Sequence, residues 1–505
     1  MKRVLIFLMA VVLVFPLVIT TRTNTSAAAV LPYQADYEYG FSLGQQWKQL
    51  YRLVLDISWK PFNLVTDDPL QAARKHVEAL QKYYPEQLAR LQGLSDAIEI
   101  DLLKVVAASI YLPPLFLKGC TTSASAPPAT KDGEVFLTWN LDLWPFWGLK
   151  QLVVTIPPLS VVSPPEKNSY IIFGIPLIAG IGLLNEEGLA LVGNACGTTD
   201  CGDGLTAVEI PNMIMERCST VKEAAEFIGS VDRFSSSGFA LFNLNYLWAD
   251  AEGGIATVEA THRYFTVAYS GSDEYHFEYV NGEVVKTKGE MGILAQGNHH
   301  QYLNYNETGA PSSESDGYQS SWIRCARMWD LLRENYGNIG LEKVMSFTGD
   351  IENGAEILGK KRGGYNSICR TEFPIGWIDY YIGSITHKYV HTGKPAWFAD
   401  LYILGPDNTD ATIVVQPKER IIWWAAGRST KFAFHPIYCA DLLGVEGPSP
   451  SSSDGIMTTL MNGGVKLFTG AGGILQLFPS SLTTFLSDLV VKVLKTLAHG
   501  MEHLM

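Results

Sequence analysis

Residues 119–143, GCTTSASAPPATKDGEVFLTWNLDL, place a turn signal between two segments of strand character. The turn spans 127–133, where Pro, Asp and Gly cluster, so the sequence predicts an antiparallel hairpin. Because the turn is centred near Lys131, Cys120 lies eleven residues before its centre and Asp142 eleven after it. A simple hairpin would bring the two residues opposite each other, about 5 Å apart. They form a candidate catalytic pair, although a Cys and an Asp in any hairpin can meet by chance.

The pattern around this hairpin indicates the fold class. Residues 30–112 read as mostly helical, with helices expected at 43–57, 69–84 and 96–110. After Cys120, runs of strands alternate with runs of helices, which favours packed antiparallel sheets covered by helices over βαβ units. The expected strands are 121–126, 134–143, 170–184, 189–193, 239–249, 255–269, 401–416 and 420–425, and the expected helices are 207–217, 220–228, 319–334 and 341–347.

Composition excludes some classes of protein. The 505 residues are 47% hydrophobic and 18% charged, which argues against general disorder. The formal net charge is −13, and Lys and Arg do not cluster into a phosphate-binding run. Nucleic acid is therefore not an expected partner.

The N-terminus has the order of a secretion signal. Lys2 and Arg3 precede the apolar run 4–19, and small and polar residues follow to Ala29. A cleaved signal peptide is the first interpretation, and an uncleaved membrane anchor is the second, because the run is short for a spanning helix. Either one places the body of the protein outside the cytoplasm. Asn306 begins a glycosylation sequon, a triplet that is also common by chance.

The seven cysteines do not form a metal or redox motif. None has CxxC spacing, and the odd count leaves at least one thiol unpaired or intermolecular in an exported chain. Cys196 and Cys201 could form a disulfide, and most of the others are also explained as small buried apolar residues. Adjacent His299 and His300 rarely converge on one ion, so we predict no metal and no cofactor.

Together these segments resemble the penicillin acyltransferase (peptidase C45) family of Cys-type N-terminal-nucleophile (Ntn) hydrolases, with choloylglycine hydrolases as more distant relatives. Each match is weak alone, and their number and order carry the resemblance from about Tyr37 to Gly427. The matching segments begin at Tyr39-Gly40-Phe41, Tyr84-Pro85, Gly119-Cys120-Thr121-Thr122, Thr138-Trp139-Asn140-Leu141-Asp142, Asn185-Glu186-Glu187-Gly188, Arg217-Cys218-Ser219, Ala249-Asp250-Ala251, Gly297-Asn298-His299, Ser320-Ser321-Trp322-Ile323-Arg324 and Asn366-Ser367-Ile368-Cys369-Arg370.

The resemblance implies that the chain cuts itself between Gly119 and Cys120. Cys120 would then be the nucleophile, and its new α-amino group, with an ordinary pKa of about 7.7–8.0, would be the base. A glycine at 119 leaves room for the thiol to attack the preceding carbonyl carbon. The mature enzyme would consist of two chains.

The resemblance also implies the supporting residues. Asp142 would hold the α-amino group, and Asn298 would donate to the tetrahedral oxyanion, with Asn194 as a second candidate for that role. Arg324 would orient Asp142 or steady the site through bidentate hydrogen bonds, and Asn140 would be a local structural residue.

Two residues qualify these assignments. Arg327 lies one turn beyond Arg324 and competes with it for the site, and Arg324 is equally a candidate for a solvated helix position. Trp139 stands where choloylglycine hydrolases carry an Arg immediately before the N-x-D triplet. This departure argues against recognition of bile salts.

We therefore predict an α+β protein with a four-layer αββα Ntn-hydrolase sandwich of two antiparallel sheets, a helical N-terminal lead-in and a C-terminal extension. The expected parts are a signal peptide or anchor (1–29), a helical segment released or retained as a small chain (30–119), a catalytic core (120–435), and a linker with a helical extension (436–505). The N-terminal apolar segment and the C-terminal extension are the candidates for membrane contact.

The predicted function is cleavage or transfer of an acyl group at a carbon–nitrogen amide bond of a small molecule, through a thioester on Cys120. Export favours hydrolysis, because acyl-coenzyme A donors are intracellular. The aromatic and Pro-rich stretch 144–158 could form a wall of an acyl pocket, and packing in the core explains it equally well. The alternatives are a phospholipase-B-like or N-acyl-lipid hydrolase and a non-catalytic exported binding protein with the same fold, in which Cys120 would sit in a disulfide.

Overall fold

The computed structural model describes residues 33–449 with internal gaps. The gaps are 66–67, 113–116, 144–158, 199, 236–242, 272–274, 281–282, 304–318, 358–359, 365, 371–407 and 426. Four predictions therefore lie outside the described residues: the signal segment 1–29, the stretch 144–158, the sequon at 306–308 and the part of the C-terminal extension from residue 450 onward. In the part that is described, no helix combines the length and apolar character needed to span a bilayer.

Five helices precede the first strand. They are α1 (Gln34–Gln46), α2 (Lys48–Val65), α3 (Pro69–Tyr83), α4 (Pro85–Ile98) and α5 (Leu102–Tyr111). The helical character predicted for 30–112 is confirmed, but two predicted helices are each divided. The predicted helix 43–57 is divided at Trp47, between α1 and α2. The predicted helix 96–110 is divided at Glu99, between α4 and α5, where the backbone of Glu99 is left-handed at φ 58°.

Local signals explain where α3 begins. The side chain of Asp68 accepts hydrogen bonds from the backbone N–H groups of Leu70 and Gln71, and Pro69 occupies the first helical position. Asp at the N-cap and Pro at the first position both favour a helix start, since they satisfy or remove N–H groups that lack a partner there.

The remaining elements follow in a strand-rich order. They are β1 (Leu117–Ser125), β2 (Phe136–Leu143), β3 (Leu159–Val162), β4 (Tyr170–Ile175), β5 (Ala179–Asn185), β6 (Ala190–Cys196), α6 (Glu209–Arg217), α7 (Val221–Gly229), β7 (Asn243–Ala249), β8 (Ile255–Ala260), β9 (Phe265–Tyr269), β10 (Tyr275–Val280), β11 (Glu283–Lys288), β12 (Ile293–Gln296), α8 (Gln319–Glu334), α9 (Leu341–Thr348), β13 (Ala355–Ile357), β14 (Lys360–Arg362), β15 (Asn408–Gln416), β16 (Ile421–Ala425), β17 (His435–Tyr438) and α10 (Cys439–Leu443).

Thirteen of these strands form two large antiparallel sheets, and β10–β11 and β13–β14 form two separate two-stranded sheets. The six-stranded sheet has the order β12-β1-β2-β15-β16-β17, and the seven-stranded sheet runs β3 to β9 in chain order. The predicted strand 170–184 is two strands, because the chain turns at Pro176 and Leu177, the latter with a left-handed backbone at φ 67°. The helix predicted at 220–228 is confirmed as α7, and a capping box between Thr220 and Glu223 begins it.

The hairpin β1–β2 forms as predicted, but the predicted pairing is wrong by one residue. Gly119 pairs with Asp142, and Cys120 pairs with Leu141. The turn is therefore centred between Thr130 and Lys131. Because successive side chains in a strand point to opposite faces, this shift places Cys120 and Asp142 on different faces of the sheet.

The two sheets pack face to face, with helices outside both. Between the sheets, the Phe173 ring lies 5.8 Å from that of Trp139 and 6.1 Å from that of Trp424. Helices α8 and α9 pack on the six-stranded sheet, and α6 and α7 pack on the seven-stranded sheet. This order confirms the predicted four-layer αββα arrangement of two antiparallel sheets.

A buried ionic network joins the N-terminal helices to the core. Arg90 on α4 donates to Glu216 on α6 at 2.5 and 3.2 Å and to Asp36 on α1 at 2.8 Å. The hydroxyl of Tyr84 donates to the same Glu216 carboxylate at 2.5 Å. Charges removed from water are tolerated when they are paired and hydrogen-bonded, so this network fixes how the helices lie on the core.

Removing one partner of this network should be costly. In Arg90→Met, two carboxylates lose their buried cation, and we expect a loss of about 3–5 kcal/mol of folding free energy. Lys48→Met is the control, because the Lys48–Glu99 pair lies at the surface with side chains 28% and 70% exposed. Thermal and urea unfolding of the two variants should show a large decrease for Arg90→Met and little change for Lys48→Met. Equal decreases would contradict this role of the network.

Candidate active site

Both polar groups of the Cys120 main chain form hydrogen bonds with side chains. Its N–H donates to Oδ1 of Asn298 at 2.9 Å, and its carbonyl oxygen accepts from Nη1 of Arg324 at 2.6 Å. Nη2 of Arg324 also donates to Oδ1 of Asn298 at 3.0 Å. Since both groups facing this amide are donors only, its oxygen must point toward them. The residue on the carboxyl side of the predicted cleavage bond is therefore fixed by two side chains.

The thiol of Cys120 is closed off from solvent between the two sheets. Its pairing with Leu141 directs it to the inner face of the six-stranded sheet, and the residue is fully buried. Burial raises the pKa of the thiol to about 12, and the charge of Asp142 adds to this, against the opposing effects of Trp139 and Arg324. In the uncut chain the thiol is therefore protonated at neutral pH and needs a base to react.

Asp142 lies on the other face of the same sheet. Its Oδ1 accepts from the hydroxyl of Thr409 at 2.9 Å, and its Oδ2 lies 3.8 Å from Nη1 of Arg324 and 3.5 Å from Nε of Arg370. Because Gly119 is its partner across the strands, the carboxylate lies beside the predicted cleavage bond. The structure thus brings Asp142 and Arg324 together near Cys120.

Asn298 is used differently from the oxyanion role that the resemblance implies. Its Nδ2 donates to the carbonyl oxygen of Ala195 at 2.8 Å, and its backbone N–H donates to Oγ of Ser321 at 2.6 Å. In this state its amide orients the main chain of Cys120 with its oxygen. Its predicted donation to an oxyanion stays a prediction for the cleaved enzyme.

The two remaining predicted residues occupy opposite faces of the six-stranded sheet. Asn194 on β6 reaches across from the other sheet, and its Nδ2 donates to Oγ1 of Thr122 at 2.7 Å, two residues from Cys120. Asn140 lies beneath α9 and donates to the carbonyl oxygens of Thr348 and Ile368 at 2.8 and 3.1 Å. Asn194 thus reaches the strand that carries Cys120, and the bonds of Asn140 hold the outer helix and a late segment to the sheet.

The choice between Arg324 and Arg327 is clear in the structure. Arg324 is 2% exposed and bonds to Cys120, to Thr121 and to Asn298. Arg327, one turn along α8, instead pairs with Asp350 at 2.9 Å and is part-exposed. Arg324 is the guanidinium of the site, and the solvated alternative for it does not apply.

Sequence reasoning missed three contributors. Thr409 binds the Asp142 carboxylate, Arg370 approaches it and also donates to Ser320 at 3.0 Å, and Ser321 binds the backbone of Asn298. Arg370 and Ser321 lie inside two of the quoted motifs, which could have signalled them. Thr409 has no local signal, because its role comes from the pairing of β15 with β2.

His299 and the cysteines show neither a metal site nor a disulfide in the described residues. Burial, together with the charge of Arg324, lowers the pKa of His299 well below its usual value, and its ring stacks on Trp322 at 3.7 Å. Among the described residues, no three His, Cys, Asp or Glu side chains are placed to hold a metal ion. All seven cysteines are free thiols, six buried and Cys201 exposed, so a Cys196–Cys201 disulfide is not formed.

Comparisons with known proteins point to one family. Residues 130–371 match the model of the family described as acyl-coenzyme A:6-aminopenicillanic acid acyl-transferase. The matched residues include Asp142, Asn194, Asn298 and Arg324, and they begin ten residues after Cys120. No curated protein sequence matches the chain.

Among the solved structures that resemble the chain are an acylase and a bile acid hydrolase. Penicillin V acylase from Agrobacterium tumefaciens is 13% identical, with 65% of this chain and 88% of that one covered and a TM-score of 0.31. A mutant of conjugated bile acid hydrolase from Clostridium perfringens is 13% identical, with 66% and 97% covered and a TM-score of 0.31. These values add nothing to an architecture that the strand pairing already establishes. The family match, by contrast, confirms for residues 130–371 the resemblance to the penicillin acyltransferase family that the sequence motifs predict.

Proposed function

We propose that this protein is an exported, self-processing Ntn hydrolase that acts on a carbon–nitrogen amide of a small molecule through a thioester on Cys120. The match of residues 130–371 to a family described as an acyl-transferase supports chemistry on an acyl group. The observation that carries the proposal is the hold of Asn298 and Arg324 on the main chain of Cys120, directly after the bond to be cut.

Self-cleavage would begin with an acyl shift. The Cys120 thiol loses its proton to a base, and its sulfur attacks the carbonyl carbon of Gly119. The carbon–nitrogen bond then breaks, the nitrogen of Cys120 takes up a proton, and Gly119 remains as a thioester on the sulfur. Water hydrolyses this thioester, which leaves a Gly119 carboxylate, a free thiol and a free α-amino group on Cys120.

The same sulfur would then act on the substrate. With the α-amino group as base, it attacks the amide carbonyl, the amine leaves with a proton, and the acyl group stays on sulfur. Water completes an amidase reaction, and an amine acceptor completes an acyl transfer. We propose hydrolysis as the main reaction, because the N-terminal segment predicts export, away from acyl-coenzyme A.

The rival interpretation is a non-catalytic binding protein, in which Cys120 is tied in a disulfide. The free state of Cys120 and the charged groups around it favour the enzyme. A lipid amide as substrate has no support in the described residues, since residues 450–505 of the C-terminal extension lie outside them.

The first test is the fate of the purified full-length chain. Wild-type protein should give two fragments, the larger beginning at Cys120, and Cys120→Ala should stay uncut. Cys439→Ala is the matched control, because it removes another buried thiol and should be cut as the wild type is. Intact mass and denaturing gels give the answer, and an uncut wild-type chain would sink the proposal.

A second prediction separates the two arginines of α8. Arg324→Lys keeps the charge but loses the forked geometry that binds Cys120 and Asn298 together, so self-cleavage should slow by about 10- to 100-fold. Arg327→Lys should cleave at nearly the wild-type rate, because its partner is Asp350. The time course of uncut chain after synthesis measures both, and similar rates for both variants would contradict the assignment.

The pH dependence follows from the thiol. With its pKa raised to about 12 by burial, the thiolate fraction rises about tenfold per pH unit at lower pH. The self-cleavage rate should therefore rise about tenfold per unit between about pH 7 and about pH 9. A flat profile over this range would show that thiol ionisation does not limit the reaction.

A further inference from the structure

A row of buried polar side chains crosses the seven-stranded sheet beneath the site. Asn194 on β6 pairs with Asn245 on β7, which pairs with Glu259 on β8, and all three are fully buried. Cross-strand neighbours point to the same face. Each reaches toward the other sheet: Asn194 to Thr122, Asn245 to the carbonyl oxygen of His299 at 2.8 Å, and Glu259 to the segment that follows β12.

The carboxylate of Glu259 is saturated by donors from that segment. Its Oε1 accepts from the backbone N–H of Gln301 at 2.6 Å and from Nε2 of Gln296 at 3.0 Å. Its Oε2 accepts from the backbone N–H groups of Tyr302 and Leu303, both at 2.9 Å. These four donors in the described part of the chain are all uncharged. An ionised carboxylate, which only accepts, matches them on both oxygens.

These bonds lie on both sides of Asn298 along the chain. Gln296 precedes it by two residues and Gln301 follows it by three, so Glu259 fixes residues 296–303 from a rigid strand. Nε2 of Gln296 also donates to the carbonyl oxygen of His299 at 3.2 Å, which closes the turn around Asn298. A displacement of this segment would carry the Asn298 amide away from the N–H of Cys120.

We propose that Glu259 is a positioning residue for the chemistry at Cys120: its ionised carboxylate holds residues 296–303 so that Asn298 meets the main chain of Cys120. The effect on reaction rate rests on the proposed function, whereas the effect on the position of the segment does not. Glu259 is separated from Cys120 by Asn298, so it acts through that residue.

Glu259 should also make this hold depend on pH. Burial raises the pKa of its carboxyl to about 7, against the hydrogen bonds from Gln301, Leu303 and Tyr302. Protonation places a hydrogen on an oxygen that already receives two, so the segment loses bonds as the pH falls through 7. Global stability changes in the opposite direction, because it compares the buried carboxyl with a solvated one in the unfolded chain, where its pKa is the usual 4.5. Relative to that state, the contribution of this group to stability is greatest below about 4.5 and declines as the pH rises to about 7.

Two other titratable groups face this carboxylate. Burial and then the charge of Glu259 raise the pKa of the Cys196 thiol on β6. Burial raises the pKa of the Cys325 thiol on α8 well above neutral. The charge of Arg324 opposes this rise, and the charge of Glu259 adds to it. Both thiols therefore stay protonated in the range where Glu259 titrates, and the change in charge belongs to Glu259.

The test is Glu259→Gln in the full chain. The amide keeps the size but turns one oxygen into a donor that faces donors, so the segment should shift and self-cleavage should slow by on the order of 10²-fold. Below about pH 7 the wild-type rate should fall more steeply than tenfold per unit, and the variant should keep the tenfold slope. Glu216→Gln is the matched control, a buried Glu bonded to Arg90, which should lower stability but keep the wild-type pH profile.

A measurement without cleavage separates this inference from the proposed function. In Cys120→Ala, hydrogen exchange by mass spectrometry reports peptides covering 117–125 and 293–303. Adding Glu259→Gln should speed exchange in both and leave the helices 34–111 unchanged. With Glu259 intact, protection of 296–303, corrected for intrinsic rates, should fall from about pH 8 to about pH 6.

The outcomes are distinct. An uncut wild-type chain with the expected exchange changes would end the proposed function and leave the positioning role standing. Normal self-cleavage in Glu259→Gln, with an unchanged pH profile, would overturn the positioning role. Exchange that is unchanged in both peptides of the Glu259→Gln variant would also overturn the positioning role. If that variant does not fold, protection of 296–303 that does not change with pH would overturn it instead.

Discussion

A guanidinium in a protein interior needs acceptors for its N–H groups, and Arg324 finds them in the main chain of Cys120 and in the groups around it. The carbonyl oxygen of Cys120 and the amide oxygen of Asn298 receive the two ends of the fork. Because these acceptors come from β1 and from the turn after β12, the arginine ties two strands of one sheet to the helix that covers it. The site and the outer helix layer are therefore held by the same contact.

Opposite this contact, the seven-stranded sheet supplies polar groups where a sandwich would ordinarily be apolar. Asn194, Asn245 and Glu259 interrupt a core of large side chains such as Trp139 and Trp424. Buried polar groups are costly when they lack partners, so a row of three is tolerated because each bonds to the strand or turn that carries the site. These three side chains contribute less apolar packing between the sheets, but their hydrogen bonds define the geometry of the site.

Much of the fold follows from patterns in the sequence. Apolar periodicity and the turn at 127–133 predict the N-terminal helices, the hairpin β1–β2 and helix α8. The divisions at Trp47 and Glu99 were not predicted. Neither position carries a Gly or Pro to mark it, although Glu99 adopts a left-handed backbone at φ 58°. The register of β1 on β2 depends on the details of the turn, and a count of residues from its centre was one residue in error.

Some residues of the site could likewise be predicted from the sequence, and others could not. Arg324 and Asp142 lie in short motifs whose order along the chain could be read, and the structure brings them together. Glu259 could not be found, because it stands in the strand sequence Ile255-Ala-Thr-Val-Glu-Ala260 and its donors lie about forty residues later. Thr409 is farther still from Asp142 in the chain. Such contacts arise only when the sheets close on each other.

The buried network of Arg90, Glu216 and Asp36 has a consequence for the lifetime of a cut protein. While Gly119 and Cys120 are joined, the helices before them are tethered to the core, and the network forms within one chain. In a protein cut at that bond, the bonds of Tyr84 and Arg90 to Glu216 would join two chains, whereas the Arg90–Asp36 bond would stay within the N-terminal one. The stability of the assembly would then depend on protein concentration. Dilution would then act as a denaturant on the cut form alone.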